Sequence, residues 1–345
     1  MDEEKYIQGI EKTGFELEYK TADILMRNDW TVISNKYYID DVQGSAREID
    51  IIAYKVSTEK DVQIYTVLII SCKKSLEKAW VLLSKEKNEK DPNVDWTPIT
   101  LWSNNPIIRL IINKFNWKDK YINSSKKLKE SLFLPFKHIF AFQEIDIKKG
   151  SPQNDKAIFD SIVSSMKSQD YEINSLELRK KQEAVYNFNL LSIVDAPLYR
   201  IDYGASEKTI ESIDSEIYIS NYIINKKEVT SRINFIKFDK FQDCLKRYNA
   251  LHLHNISYIE EFFNIYYKDC LKNQDKVNLL IEDFRHLVRW DIYSFLKKKF
   301  KIDYNDTKSI HIVWSSSDNS VILYINNMSD EDIINELNEG EVIKS

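Results

Sequence analysis

Two apolar runs joined by a polar connection constrain this chain more than any other feature: Ile49–Tyr54 and Ile64–Ile70, linked by Lys55–Gln63. Both are rich in β-branched and aromatic residues, so they read as two strands of a hairpin. Successive strand side chains point to opposite faces. Glu48 and Asp50 therefore share one face of the first strand, and Ser71 and Lys73 share one face at the end of the second. Ile49, Ile51, Ile70 and Cys72 point the other way. Acids and a lysine on strands this apolar carry a desolvation cost unless they pair with one another or hold a metal ion.

Composition narrows the setting. The chain has 345 residues, enough for one large or two ordinary domains. Its 43% hydrophobic content supports a buried core, and with six Gly and six Pro it is not a low-complexity sequence. The net charge of −5 excludes a globally basic nucleic-acid binder, so any contact with phosphates rests on local patches. Cys72, Cys244 and Cys270 are odd in number and widely spaced, which suits a reducing cytoplasm and excludes a C-x-x-C zinc site. No apolar run approaches the length of a membrane span, and the acidic N-terminus lacks a signal-peptide pattern. The expectation is a cytoplasmic protein with no membrane partner.

Taken in order, residues 13–27 read as a helix with Thr13 as N-cap and Glu16 closing a capping box. Phe15, Tyr19, Ala22 and Met26 form its apolar stripe, with Glu18 beside the stripe and aimed toward the core. Residues 29–39 read as the first strand, followed by a polar loop over 40–46 and then the hairpin. Leu76, Trp80 and Leu83 at helical spacing predict a helix over 76–87, with Lys74 and Ser75 within reach of a phosphate. An irregular loop over 91–105 carries Trp96 and Trp102, which either stack on bases or pin the loop to the domain. A helix follows over 106–115. Residues 113–129 are the most basic run, reading either as a track for a DNA backbone or as a solvated linker.

Further strands are expected over 137–142 and 187–194, with helices over 157–166 and 175–185 between them and a turn with a short strand over 195–202. The character changes at Tyr203. Strand-like runs over 216–224 and 232–238 lead to helices over 241–248, 256–271 and 277–300, a second hairpin at 310–314 and 321–325, and an acidic tail. His252 and His254 would share a strand face, but no acid or cysteine accompanies them.

The pattern Arg47-Glu48-Ile49-Asp50, followed by a buried strand and Cys72-Lys73-Lys74-Ser75, resembles the PD-(D/E)XK nuclease superfamily in its restriction-endonuclease-like branch. Asp50 matches the family's Asp and Lys73 its Lys. Ser71 departs from the pattern, standing where the family carries Glu or Asp. The likeness is strongest over residues 13–80 and looser to about Asp202.

The resemblance implies an α/β fold with an α-β-β-β-α-β core, a mixed central sheet flanked by helices, over residues 1–202, and an α+β extension over 203–345 for substrate or partner recognition. It implies hydrolysis of phosphodiester bonds, DNA foremost, with Mg²⁺ or Mn²⁺, in restriction or anti-phage defence, with a homodimer or a defence-system protein as partner. Asp50 would be the main ligand, joined by the Cys72 backbone carbonyl, Glu18 from the first helix, and Glu48 in place of the acid missing at Ser71. Lys73 would orient the attacking water and stabilise developing charge. The alternatives are a catalytically degenerate nuclease fold that binds nucleic acid or protein, and an RNA-directed nuclease.

Overall fold

The computed structural model describes residues 3–204, 207–281, 294, 297–298, 310–315, 317 and 320–325. The architecture is α/β, with mixed sheets and flanking helices. Two compact units divide the chain, residues 1–261 and 262–345. This division falls later than the 202/203 boundary expected from the sequence.

The larger unit opens with α1 (Glu3–Glu11) and α2 (Phe15–Arg27), then the meander β1 (Thr31–Ile39), β2 (Ala46–Glu59) and β3 (Val62–Lys74). Pairing along the meander is antiparallel throughout. The hairpin strands run further than expected. The predicted loop over 55–63 is mostly strand, and the turn is only Lys60 and Asp61, both at positive φ (51° and 62°). Two consecutive left-handed residues match the right-handed twist of the strands they join.

β4 (Lys78–Lys85) is a strand where the spacing of Leu76, Trp80 and Leu83 predicted a helix. Ala79, Trp80, Val81 and Leu82 are all buried, so both faces are covered. A short apolar run buried on two faces carries no period by which to separate strand from helix. Trp80 meets Phe235 edge-on at 5.8 Å between ring centres. β5 (Thr100–Ser103) then interrupts the expected irregular loop. Trp96 is buried with its indole N–H on the Asn88 carbonyl at 3.0 Å, and Trp102 packs on Tyr186, so both tryptophans pin this segment.

Helices α3 (Pro106–Lys114), α4 (Lys118–Asn123) and α5 (Lys126–Leu128) precede β6 (His138–Asp146). In the basic run, Lys118 pairs with Asp95 at 2.6 Å and Lys120 with Glu261 at 3.1 Å. The single helix α6 (Lys156–Arg179) replaces the two segments expected there. Its middle buries Ser165, Lys167, Ser168, Gln169 and Glu172, polar residues that mask the apolar period. Lys167 answers its burial with Asp40 at 3.0 Å and Asp41 at 2.7 Å, in the turn after β1.

After α6 come β7 (Ala184–Asp195), β8 (Leu198–Asp202), β9 (Thr209–Ser212), β10 (Ser215–Ile224), β11 (Lys227–Lys237) and α7 (Phe241–Tyr267). The main sheet has seven strands among the described residues, in the order β1-β2-β3-β7-β11-β10, with β5 also on β7. β7 is parallel to both β3 and β11. The strands beyond residue 203 therefore continue the same sheet, which explains why the larger unit extends past that point. A second sheet has the order β6-β4-β8-β9.

One face of the main sheet packs Ile52, Val67, Ile69, Phe188, Leu190, Ile233 and Phe235 against Ile158, Ile162, Met166 and Leu176 of α6. Elsewhere in the sheet a buried polar chain links to α7. His252 meets Ser57 and Thr66, each at 3.0 Å, and Asn255 donates to Thr66 at 2.7 Å and accepts from the Tyr121 hydroxyl at 2.5 Å. These buried polar side chains hid the middle of α7, for which the sequence predicted two shorter helices. The histidines lie on a helix and not on the strand considered for a metal.

In the smaller unit, the second hairpin pairs β12 (Ile310–Ser315) with β13 (Ser320–Ile325). The expected helix over 277–300 is described only in part, and the acidic tail lies outside the described residues. No helix among the described residues is long and apolar enough to cross a membrane.

Candidate active site

The antiparallel ladder of β2 with β3 ends at Ile51 and Ile70. Beyond that pair the strands part, and the Asp50 side chain occupies the gap. Its Oδ2 accepts the Cys72 backbone N–H at 2.7 Å and the Ser71 hydroxyl at 3.3 Å. Lys73 Nζ lies 4.0 Å from the same oxygen. Both charged side chains remain partly open to solvent, at 21% for Asp50 and 30% for Lys73. The site is thus a carboxylate and an ammonium at the mouth of a strand fork, with an apolar sheet behind them.

On the far side of β3 the Cys72 thiol is buried against the Thr21 hydroxyl at 3.9 Å, and burial pushes its pKa up. Only the Cys72 backbone therefore faces the chemistry at Asp50. This contact also docks α2. The buried face of that helix is Leu17, Thr21, Ala22 and Leu25, while Phe15, Tyr19 and Met26 of the predicted stripe are exposed. Thr21 at the centre of the buried face made it read as polar. Thr13 does not cap α2 either: its hydroxyl donates to the Ile10 carbonyl at 2.6 Å, at the end of α1, and Gly14 holds the cap position.

Glu18 lies two turns before Leu25, hence on nearly the same side of the helix. Burial raises its carboxyl pKa, the negative charges of Asp50 and Glu48 raise it further, and Lys73 opposes them. Glu48 is exposed and accepts from the Asn35 amide at 2.5 Å, with Asn35 in a left-handed conformation at φ 55°. So the structure gathers Asp50, Ser71, the Cys72 backbone and Lys73, brings Glu18 into their field, and leaves Glu48 at the rim on another partner.

Sequence reasoning missed a neighbouring charge cluster. Lys74, expected to reach a phosphate, sits between Glu16 at 3.5 Å and Asp195 at 3.4 Å, and Lys20 pairs with Glu16 at 2.6 Å. Asp195 arrives through the parallel register of β7, which sets it opposite Lys74. No local signal in the sequence announces a partner more than a hundred residues away.

Among the described residues, no group of three or more His, Cys, Asp or Glu side chains is arranged to hold a metal ion. The donor types do suit one. Asp50, Glu18 and the Cys72 carbonyl are hard oxygens of the kind Mg²⁺ takes. The like-charge repulsion that raises Glu18 is what a bound cation relieves.

No protein-family model matches the chain, and no curated protein or solved structure matches it.

Proposed function

We propose that the chain is a metal-dependent nuclease of the restriction-endonuclease-like type, acting on DNA. The observation that carries this reading is the Asp50 carboxylate at the strand fork with the Lys73 ammonium 4.0 Å away. The topology supports it as well: α2 leads into a three-strand antiparallel meander, and, after β4 to β6 and the helices among them, α6 leads into β7, parallel to β3.

In this reading Asp50 and Glu18 hold Mg²⁺ or Mn²⁺, with the Cys72 carbonyl as a further oxygen. The ion, when bound, supplies an activated water and charge stabilisation on the phosphoryl oxygens. Lys73 orients the water and stabilises charge on the non-bridging oxygens. Ser71 contributes a hydroxyl in place of a charge, and Glu48 stands at the rim as the acid available to replace it.

A second reading has one observation in its favour. Ser71 and the Cys72 N–H both donate to Asp50, satisfying the carboxylate without a metal ion. That arrangement suits a degenerate site on a module that binds nucleic acid.

Plasmid, linear duplex and single-stranded DNA, and RNA, incubated with Mg²⁺ or Mn²⁺ and either wild type or Asp50→Ala, separate the readings. The nuclease reading expects metal-dependent DNA cleavage by wild type alone. DNA binding that is metal-independent and unchanged by Asp50→Ala, with no cleavage, supports the second reading. Cleavage of RNA with DNA spared changes the substrate but not the site.

A further inference from the structure

A cleft of about 680 Å³ within the larger unit is lined from the segment after α4, from β10 and β11, and by Arg247 of α7. That volume lies in the range of small-molecule sites, roughly 300–1,000 Å³. None of the residues around Asp50 lines it.

The lining has an unbalanced charge. Lys126, Lys127 and Arg247 face two carboxylates, Glu130 and Glu216. Glu130 lies 3.9 Å from Lys126, and Glu216 is held by the Arg200 guanidinium. Lys127 and Arg247 have no ion-pair partner among the described residues. Two cations left over at one cleft fit an anionic ligand, and phosphate in particular.

The floor adds an independent observation. Asn234 is only 3% exposed, and its amide nitrogen donates to the Tyr248 hydroxyl at 3.2 Å, while its Oδ1 accepts from nothing. The Ser131 hydroxyl is likewise buried and unpartnered. Native proteins pair buried polar atoms almost without exception. A ligand N–H directed at Asn234 Oδ1 would complete that pairing. At the rim, Phe136 is 72% exposed, with the Arg200 guanidinium at 5.1 Å and the Lys137 ammonium at 5.9 Å from its ring centre. An exposed ring beside a cationic cleft is a stacking platform for a base.

We propose that this cleft binds a nucleotide, its phosphates toward Arg247 and Lys127 and its base toward Phe136 and the Asn234 amide oxygen. The ligand is either a free nucleotide or the phosphorylated end of a strand. The inference goes beyond the reading of the Asp50 site and does not depend on it.

The test is isothermal titration of the full chain in EDTA with four probes: ATP, inorganic tripolyphosphate, adenosine, and a 5′-phosphorylated deoxyadenosine dinucleotide. At least one of ATP and the dinucleotide should bind 10-fold or more tightly than both tripolyphosphate and adenosine, and the tighter of the two identifies the source. Arg247→Gln, at a partly exposed position that leaves the core intact, should weaken that binding at least 10-fold, and Asn234→Leu should do the same. Lys246→Gln, whose lysine pairs instead with Asp243, should bind as wild type does. The proposal is overturned if neither nucleotide binds at millimolar concentration, if tripolyphosphate binds as tightly as both, or if Arg247→Gln binds like wild type.

Discussion

Asp50 Oδ2 accepts the backbone N–H of Cys72 at 2.7 Å, one residue past the point where β2 and β3 cease to pair. A carboxylate thus takes the place of the carbonyl that a continued ladder would have supplied. The same oxygen anchors the fork and lies within 4.0 Å of Lys73, so structure and chemistry compete for it.

The anchoring role has a measurable consequence. Asp50→Ala removes the acceptor from a backbone N–H and should cost about 1–3 kcal/mol. Asp50→Asn keeps an oxygen there and should cost less. Urea unfolding of the two variants checks the order. Equal losses would mean that the hydrogen bond contributes nothing.

Ser71 offers a test of the missing acid. Ser71→Asp would place a second carboxylate beside Asp50, where serine now donates at 3.3 Å. Without metal the variant should lose about 1–3 kcal/mol, since like charges at one site disfavour ionisation. Mg²⁺ should restore the loss, and thermal melts with and without MgCl₂ report it. A melt insensitive to Mg²⁺ counts against a metal site at the fork.

Glu18 predicts a pH dependence of defined sign. Its carboxyl pKa is raised by burial and by Asp50 and Glu48, so the folded state holds its proton more tightly than the unfolded chain does. The stability it contributes is full below the unfolded value and is lost as pH rises through the folded one. Glu18→Gln should therefore stabilise the protein at neutral pH and give no gain in acid. Denaturation midpoints across that range decide it, and a gain that is the same at every pH would contradict the assignment.

His252 has the opposite sign. Burial against Ser57 and Thr66 lowers its pKa to about 4, from an ordinary 6.5. Its contribution is full above the unfolded value and is lost as pH falls from 6.5 toward 4. The loss across that window is roughly 3 kcal/mol, since each tenfold change in proton affinity is worth about 1.4 kcal/mol. His252→Gln should flatten the acid limb of the stability curve, and an unchanged limb would show that the loss arises at another group.

Some of this was legible in the residues. The hairpin announced itself because both its strands are apolar and β-branched, and Asp50 and Lys73 stood out against that background. The buried face of α2 is masked in the sequence because Thr21 sits at its centre while Phe15, Tyr19 and Met26 form an equally good stripe that faces solvent. β4 is masked because burial on both faces removes the alternation that marks a strand. The middles of α6 and α7 were lost to buried Lys167, Glu172, His252 and Asn255, whose partners come from distant segments. Asp195 beside Lys74 depends wholly on parallel register, which no local pattern encodes.

The most direct test of the site sets two adjacent lysines against each other. Lys73 lies at the fork beside Asp50, whereas Lys74 is occupied by Glu16 and Asp195. Single-turnover cleavage of duplex DNA in Mg²⁺ should fall at least ~100-fold in Lys73→Ala, in keeping with loss of a group that assists proton transfer. Lys74→Ala should stay within ~10-fold of wild type, both variants being as folded as wild type by circular dichroism. Cleavage that survives Lys73→Ala, or that falls equally in both variants, would contradict an active site at the strand fork.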